Sequence, residues 1–238
     1  MKTSIIVLIT LLATATANSE SLTKKGLSEV IFNVKAENPQ GEPISFEHLA
    51  DLPIVFYFPV ITGGVFGMPM EDNSLEIFVV DENNQIQFDL NNVKNKFEKN
   101  AEKLRDGFKE LGLKPNPKRT KLARMGSFAR HVEDINYVKG TLFKKPDSDE
   151  MLLLVYFNRK ASLSGDITLG GEIYKHDVSI PRKGFYWLES VEIEPGVFKI
   201  SRCENFKEVD LVFRIDANID VDESLFETRI ESVNHDGS

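Results

Sequence analysis

The sequence predicts a mainly β protein, α+β in class, with antiparallel sandwich-like or barrel-like sheets and one long amphipathic helix. Three observations predict it. Short runs of alternating or continuous apolar residues recur between turn signals, and a single apolar stripe at helical spacing interrupts them. The composition, 41% hydrophobic and 28% charged over 238 residues, is enough to bury a core.

The first element is not part of the fold. Met1-Lys2 supplies a short positive start, Ile5 to Ala13 an almost unbroken apolar stretch, and Ala15-Thr16-Ala17 a small-x-small cleavage site before Asn18. A membrane anchor needs about 20 apolar residues; this stretch gives way to small and polar residues at Thr14. Residues 1–17 are therefore expected to be a signal peptide, and the mature chain a periplasmic or secreted protein that does not span the membrane. No cysteine near the cut could carry a lipid.

From residue 18 the chain divides on composition into a β sub-domain ending in the helix (18–112), a basic linker (113–131), a sandwich-like β sub-domain (132–230) and a loose tail (231–238). In the first, Val30, Phe32, Val34 and Ala36 alternate with polar residues, and Ile54 to Phe58 is continuously apolar, as in a strand covered on both faces. Leu75 to Val80, a turn at Asp81 to Asn84, and Gln85 to Leu90 read as a hairpin. Val93, Phe97, Ala101, Leu104, Phe108 and Leu111 then recur at steps of three and four, with Gly112 as a left-handed stop and Pro115 beyond it.

Leu113 to His131 carries Pro115, Pro117, Gly126 and six basic residues with no acid, and reads as a loop. Seven strands are expected after it: Tyr137 to Phe143, Met151 to Asn158, Ser162 to Ile173, Tyr174 to Ile180, Phe185 to Ile193, Val197 to Arg202 and Val209 to Val221.

Charge is the feature that points to a partner. Lys94 to Arg130 holds twelve Lys or Arg against four acids, so this segment carries +8 and the other 201 residues −16 of the total −8. Such a field either folds against the acidic remainder of the chain or recruits an external anion. The candidate contact residues are Lys114, Lys118, Arg119, Lys121, Arg124 and Arg130. The anions to expect outside the cytoplasm are lipid head groups, lipopolysaccharide or an acidic glycan; another envelope protein is the remaining partner class. Nucleic acid does not fit an exported chain.

Other patterns resemble chemistry and fall short of it. Thr62-Gly63-Gly64-Val65-Phe66-Gly67 follows a strand but lacks the first glycine of a dinucleotide loop, and Pro69, Glu71 and Asp72 stand where its helix would begin. Val60 to Met70 is instead an apolar segment that either contacts a ligand or turns inside the core. Asp216 to Glu227 matches the oxygen spacing of a calcium loop but has Val221 where that loop needs glycine.

Cys203 alone can form no internal disulfide, and a core role is the simplest reading of its strand. His48, His131, His176 and His235 are scattered. Gly184 to Leu188 concentrates aromatics that fill a core or stack on a sugar. No Walker or kinase pattern, zinc motif or cofactor fingerprint occurs.

The expectation is an exported, non-catalytic binding or accessory protein of the bacterial cell envelope, without cofactor. The alternative is an envelope hydrolase using His131 or His176 with a carboxylate from elsewhere in the chain. A third reading is a domain that assembles with itself or a neighbour.

Overall fold

The computed structural model describes residues 26–43, 53–58, 61–62, 65–66, 74–103, 112–129 and 138–215. Among these the protein is mostly β, with one helix and a large mixed sheet. The first strands are β1 (Glu29–Glu37), β2 (Pro53–Tyr57), β3 (Ile61–Thr62), β4 (Val65–Phe66), β5 (Ser74–Val79) and β6 (Gln85–Asp89), followed by helix α1 (Leu90–Asn100). Four short strands come next: β7 (Glu102–Lys103), β8 (Lys114–Asn116), β9 (Lys121–Arg124) and β10 (Gly126–Ala129). The rest are β11 (Val138–Lys144), β12 (Met151–Phe157), β13 (Ala161–Leu169), β14 (Glu172–Ile180), β15 (Gly184–Glu194), β16 (Val197–Arg202) and β17 (Glu208–Ile215).

The large sheet runs β6-β1-β17-β11-β12-β15-β16-β14-β13-β8, with β9 also on β12 and β7 on β9. It forks at β12. On one side β12 pairs with β15 along its whole length; on the other, Met151 and Leu152 meet β11 while Val155 to Phe157 meet β9. The sequence of β12, Met-Leu-Leu-Leu-Val-Tyr-Phe, suits this position because both faces are covered. Leu152, Leu154 and Tyr156 enter one core, Val155 and Phe157 the other. Its neighbour β15 divides in the same way, Phe185 and Trp187 to the first core, Tyr186 and Leu188 to the second.

The first core lies between the large sheet and a second sheet ordered β10-β2-β5, together with α1. Phe56 of β2 meets Phe32 of β1 at 5.2 Å and Phe88 of β6 at 5.1 Å between ring centroids. Tilted and edge-on ring pairs of this kind add to the burial term. The second core is filled from β12 to β16, with Leu113 beside them. There the sheet has to curl. β12 and β13 stand four places apart in the strand order, about 19 Å in a flat sheet, yet the four residues from Phe157 to Ala161 reach at most about 14 Å.

Three expectations need correction. The pairing is not purely antiparallel, because β1 runs parallel to β17 and β14 parallel to β16. The helix does not continue from Val93 to Leu111: α1 ends at Asn100, Ala101 is extended, and Glu102–Lys103 joins the edge of β9. Unpaired backbone groups on that edge offer the chain an alternative to further helix. Leu90, Val93 and Phe97 are its buried residues, and Asp89 caps it by accepting from the Asn91 amide at 2.8 Å.

The stretch 113–131 is also no simple loop, since it supplies β8, β9 and β10, each paired to a strand expected from periodicity. Strands from both sides of this stretch contribute to one core: β1, β2, β5 and β6 bury their apolar faces with β11, β12, β15 and β17. Across the outer face Lys35 of β1 meets Asp210 of β17 at 2.6 Å, and the buried Lys144 of β11 meets Glu37 of β1 at 2.9 Å. A smaller shift concerns β13 and β14, which part at Gly170-Gly171, both with positive φ, rather than after Ile173.

Candidate functional site

The basic residues singled out by charge gather in part at one end of the large sheet. Lys121 opens β9 beside the end of β12, held there by its amide on Asn158 Oδ1 at 2.9 Å and by the Asn158 amide on its own carbonyl at 3.1 Å. Lys118 and Arg119 occupy the turn between β8 and β9, which Thr120 closes by donating its amide and its hydroxyl to the Pro117 carbonyl at 2.9 and 2.7 Å. Lys114 stands two residues in from that end, on the edge strand β8. Lys114, Lys118 and Arg119 are exposed and Lys121 half-buried.

No acid of the described residues lies within ion-pair distance of these four. Arg124 is exposed but sits farther along β9, opposite Val155, and is not part of this group. Arg130 lies outside the described residues.

Beneath this end is a small polar group. Glu98 of α1 and Lys183, in the turn between β14 and β15, form an ion pair at 2.7 Å. The Lys183 ammonium holds the Glu98 carboxyl below the usual carboxylate range, and the carboxylate in turn raises Lys183. The Tyr156 hydroxyl is buried within reach of Glu98 and Lys183 but meets neither in good hydrogen-bond geometry; burial first, and Glu98 after it, pushes the phenol up to about 12.

A buried hydroxyl without a partner costs about 1–3 kcal/mol, so Tyr156→Phe is expected to leave the unfolding free energy unchanged or raise it by up to about 1 kcal/mol. Urea denaturation checks this, and a loss larger than that would assign the hydroxyl a partner of its own.

The other candidates find structural explanations or none. His176 lies half-buried on β14 with Nδ1 3.0 Å from the Tyr174 carbonyl oxygen, and burial lowers its pKa. Asp177 points to the opposite face, as strand alternation requires, and faces Lys199 at 3.9 Å. The carboxylate felt by the imidazole is Asp166, which makes no hydrogen bond to it. His131, His48 and His235 lie outside the described residues, as does the segment from Asp216 to Glu227.

Cys203 follows β16, half-buried, with Sγ donating weakly to the Trp187 carbonyl at 3.6 Å. Burial pushes its thiol up to about 12, which leaves almost no thiolate at neutral pH. Phe185, Tyr186, Trp187 and Leu188 are all buried, so these aromatics fill the two cores. Thr62 pairs with Val65 in the β3–β4 hairpin, which is not the strand-to-helix passage of a phosphate loop. Among the described residues no group of three His, Cys, Asp or Glu is placed to hold a metal ion, and no helix is long and apolar enough to cross a membrane.

Two basic pairs in short turns, Arg159-Lys160 and Arg182-Lys183, escaped the sequence reading because each is diluted by acids in a charge count along the chain. Their signal was local: each follows a turn residue, Asn158 or Pro181, as Lys118-Arg119 follows Pro117. Compared with protein-family models, curated proteins and solved structures, the chain matches none of them.

Proposed function

We propose that this is an exported binding or accessory protein of the bacterial cell envelope, whose basic sheet end contacts an anionic envelope component. The observation that carries the proposal is the exposure of Lys114, Lys118 and Arg119 with no acid of the described residues close enough to neutralise them. That arrangement supports an external anion over internal neutralisation. Reading the faced sheets as a sandwich and the curled β12 to β13 run as barrel-like closure makes the rest of the fold a scaffold for this end. The hydrolase alternative has less support, since the described residues bring no hydrogen-bonded carboxylate to His176.

Sedimentation of the purified protein with vesicles and with lipopolysaccharide tests the reading. Retention is expected on anionic phosphatidylglycerol vesicles or lipopolysaccharide and not on neutral phosphatidylcholine vesicles at low salt. It should be lost near 1 M salt, where the screening length falls to about 3 Å. Equal behaviour on neutral and anionic surfaces at low salt would overturn it.

A further inference from the structure

Strand register brings two more basic turns to the same end as Lys118 and Arg119. Phe157, the last residue of β12, pairs with Gly184, the first of β15, and Ala161, which opens β13, pairs with Ile180, which closes β14. The turns 158–160 and 181–183 therefore leave the sheet side by side. Asn158 is bonded to Lys121, so the turn 117–120 lies beside them. Each turn carries two consecutive basic residues, Lys118-Arg119, Arg159-Lys160 and Arg182-Lys183, all six exposed. The Tyr186 hydroxyl fixes the third turn by donating to the Arg182 carbonyl at 3.0 Å. Of the six, Lys183 has an ion-pair partner among the described residues, Glu98.

Acids gather at the opposite end of the strands. Asp147 and Asp149 occupy the turn from β11 to β12, and Glu192 and Glu194 the end of β15. Among the described residues the dibasic turns and these acids thus lie at opposite ends of the strands, although Lys144 and Lys145 pair with Asp149 and Glu150 at the acidic end. This asymmetry favours approach of the basic end to a negative surface.

We propose that these three dibasic turns form one docking face for an anionic phospholipid bilayer, whose phosphate groups they meet together. The inference rests on the binding role proposed above and adds Arg159, Lys160, Arg182 and Lys183 to it. Six exposed basic residues on adjoining turn tips complement the charge of a phosphate-bearing surface. None of residues 117–120, 158–160 and 181–183 is aromatic, so the turns offer no ring for the stacking that single-stranded nucleic acids use.

The test compares vesicle partitioning of the wild-type protein with three double variants, Lys118→Gln/Arg119→Gln, Arg159→Gln/Lys160→Gln and Arg182→Gln/Lys183→Gln. A control pair, Lys199→Gln/Lys207→Gln, removes the same charge near the acidic end, and thermal melts confirm that all variants fold. Each turn variant should lower the partition coefficient on phosphatidylglycerol vesicles roughly tenfold or more, from the contribution of each basic residue near a charged surface. The control should stay within about twofold.

Wild-type retention with turn variants that match it, or with a control that falls as far, would overturn the docking face while leaving a binding role elsewhere. Absence of wild-type retention on every anionic probe would overturn both. Displacement by inorganic phosphate beyond the effect of chloride at equal ionic strength would make the turns a phosphate site instead. Binding to dextran sulfate through these turns, without binding to vesicles, would assign them to a linear polyanion.

Discussion

Trp187→Ala is expected to lower the unfolding free energy by about 3–5 kcal/mol, the range for removing a large buried aromatic side chain. Trp187 is fully buried in the first core on β15, 5.8 Å from the Phe143 ring, and its indole nitrogen donates to the Phe206 carbonyl at 2.9 Å. The substitution leaves a cavity at the centre of the sheet and an unpaired carbonyl on the chain entering β17. Trp187→Phe is the milder change, because a phenyl ring fills part of the indole's space while the hydrogen bond is lost, and about 1–3 kcal/mol is expected. Urea denaturation followed by circular dichroism measures both. A loss below about 1 kcal/mol for the alanine variant would mean that the core does not close around this side chain.

The second large effect comes from the backbone. Gly165 lies within β13 at φ +122°, and a Cβ built there stands 2.6 Å from the Gly112 carbonyl oxygen and 3.2 Å from the Leu113 Cα. Neither can yield easily, since Leu113 is buried and Lys114 is paired with Ser164 of the same strand. Gly165→Ala therefore combines conformational strain of about 1–3 kcal/mol with a clash against backbone. A total loss above about 3 kcal/mol is expected. Gly170→Ala is the contrast: φ +60° is a left-handed conformation and no atom lies within 4 Å of the added carbon, so about 1–2 kcal/mol is expected. Equal losses at the two positions would refute the close approach at Gly165.

Much of the strand inventory was legible because alternation is a local signal. Val30, Phe32, Val34 and Ala36 are all buried, as their spacing predicts, and the continuous apolar run of β12 marks a strand covered on both faces. Partners were not legible. Nothing near Phe32 in sequence indicates Val209 as its parallel neighbour, and a purely antiparallel sheet was the simpler reading. Strands β8 to β10 were hidden because the proline and lysines of β8 and β9 and the glycine and alanine of β10 are poor strand formers; their pairing comes from edges that other elements present. The helix was misread at its end for the same reason, a tertiary contact of Glu102 and Lys103 overriding a good local pattern.

For the surface, the composition revealed a basic segment but left open whether it is exposed or folded against the chain's own acids; Lys118 and Arg119 stand exposed. The spacing between Arg159 and Arg182 concealed that their turns adjoin, since register alone makes them neighbours.

The parallel contact between β1 and β17 also sets the order in which the molecule can be assembled. Its two strands enclose most of the described chain, so the sheet connecting β6 and β1 to β11 is incomplete until the residues around Val209 have been made. The two strands can therefore meet only once the chain through Val209 is present, and closing so long a loop slows acquisition of the native state. Until then β1 can pair with β6 on one side only, and its other edge stays open.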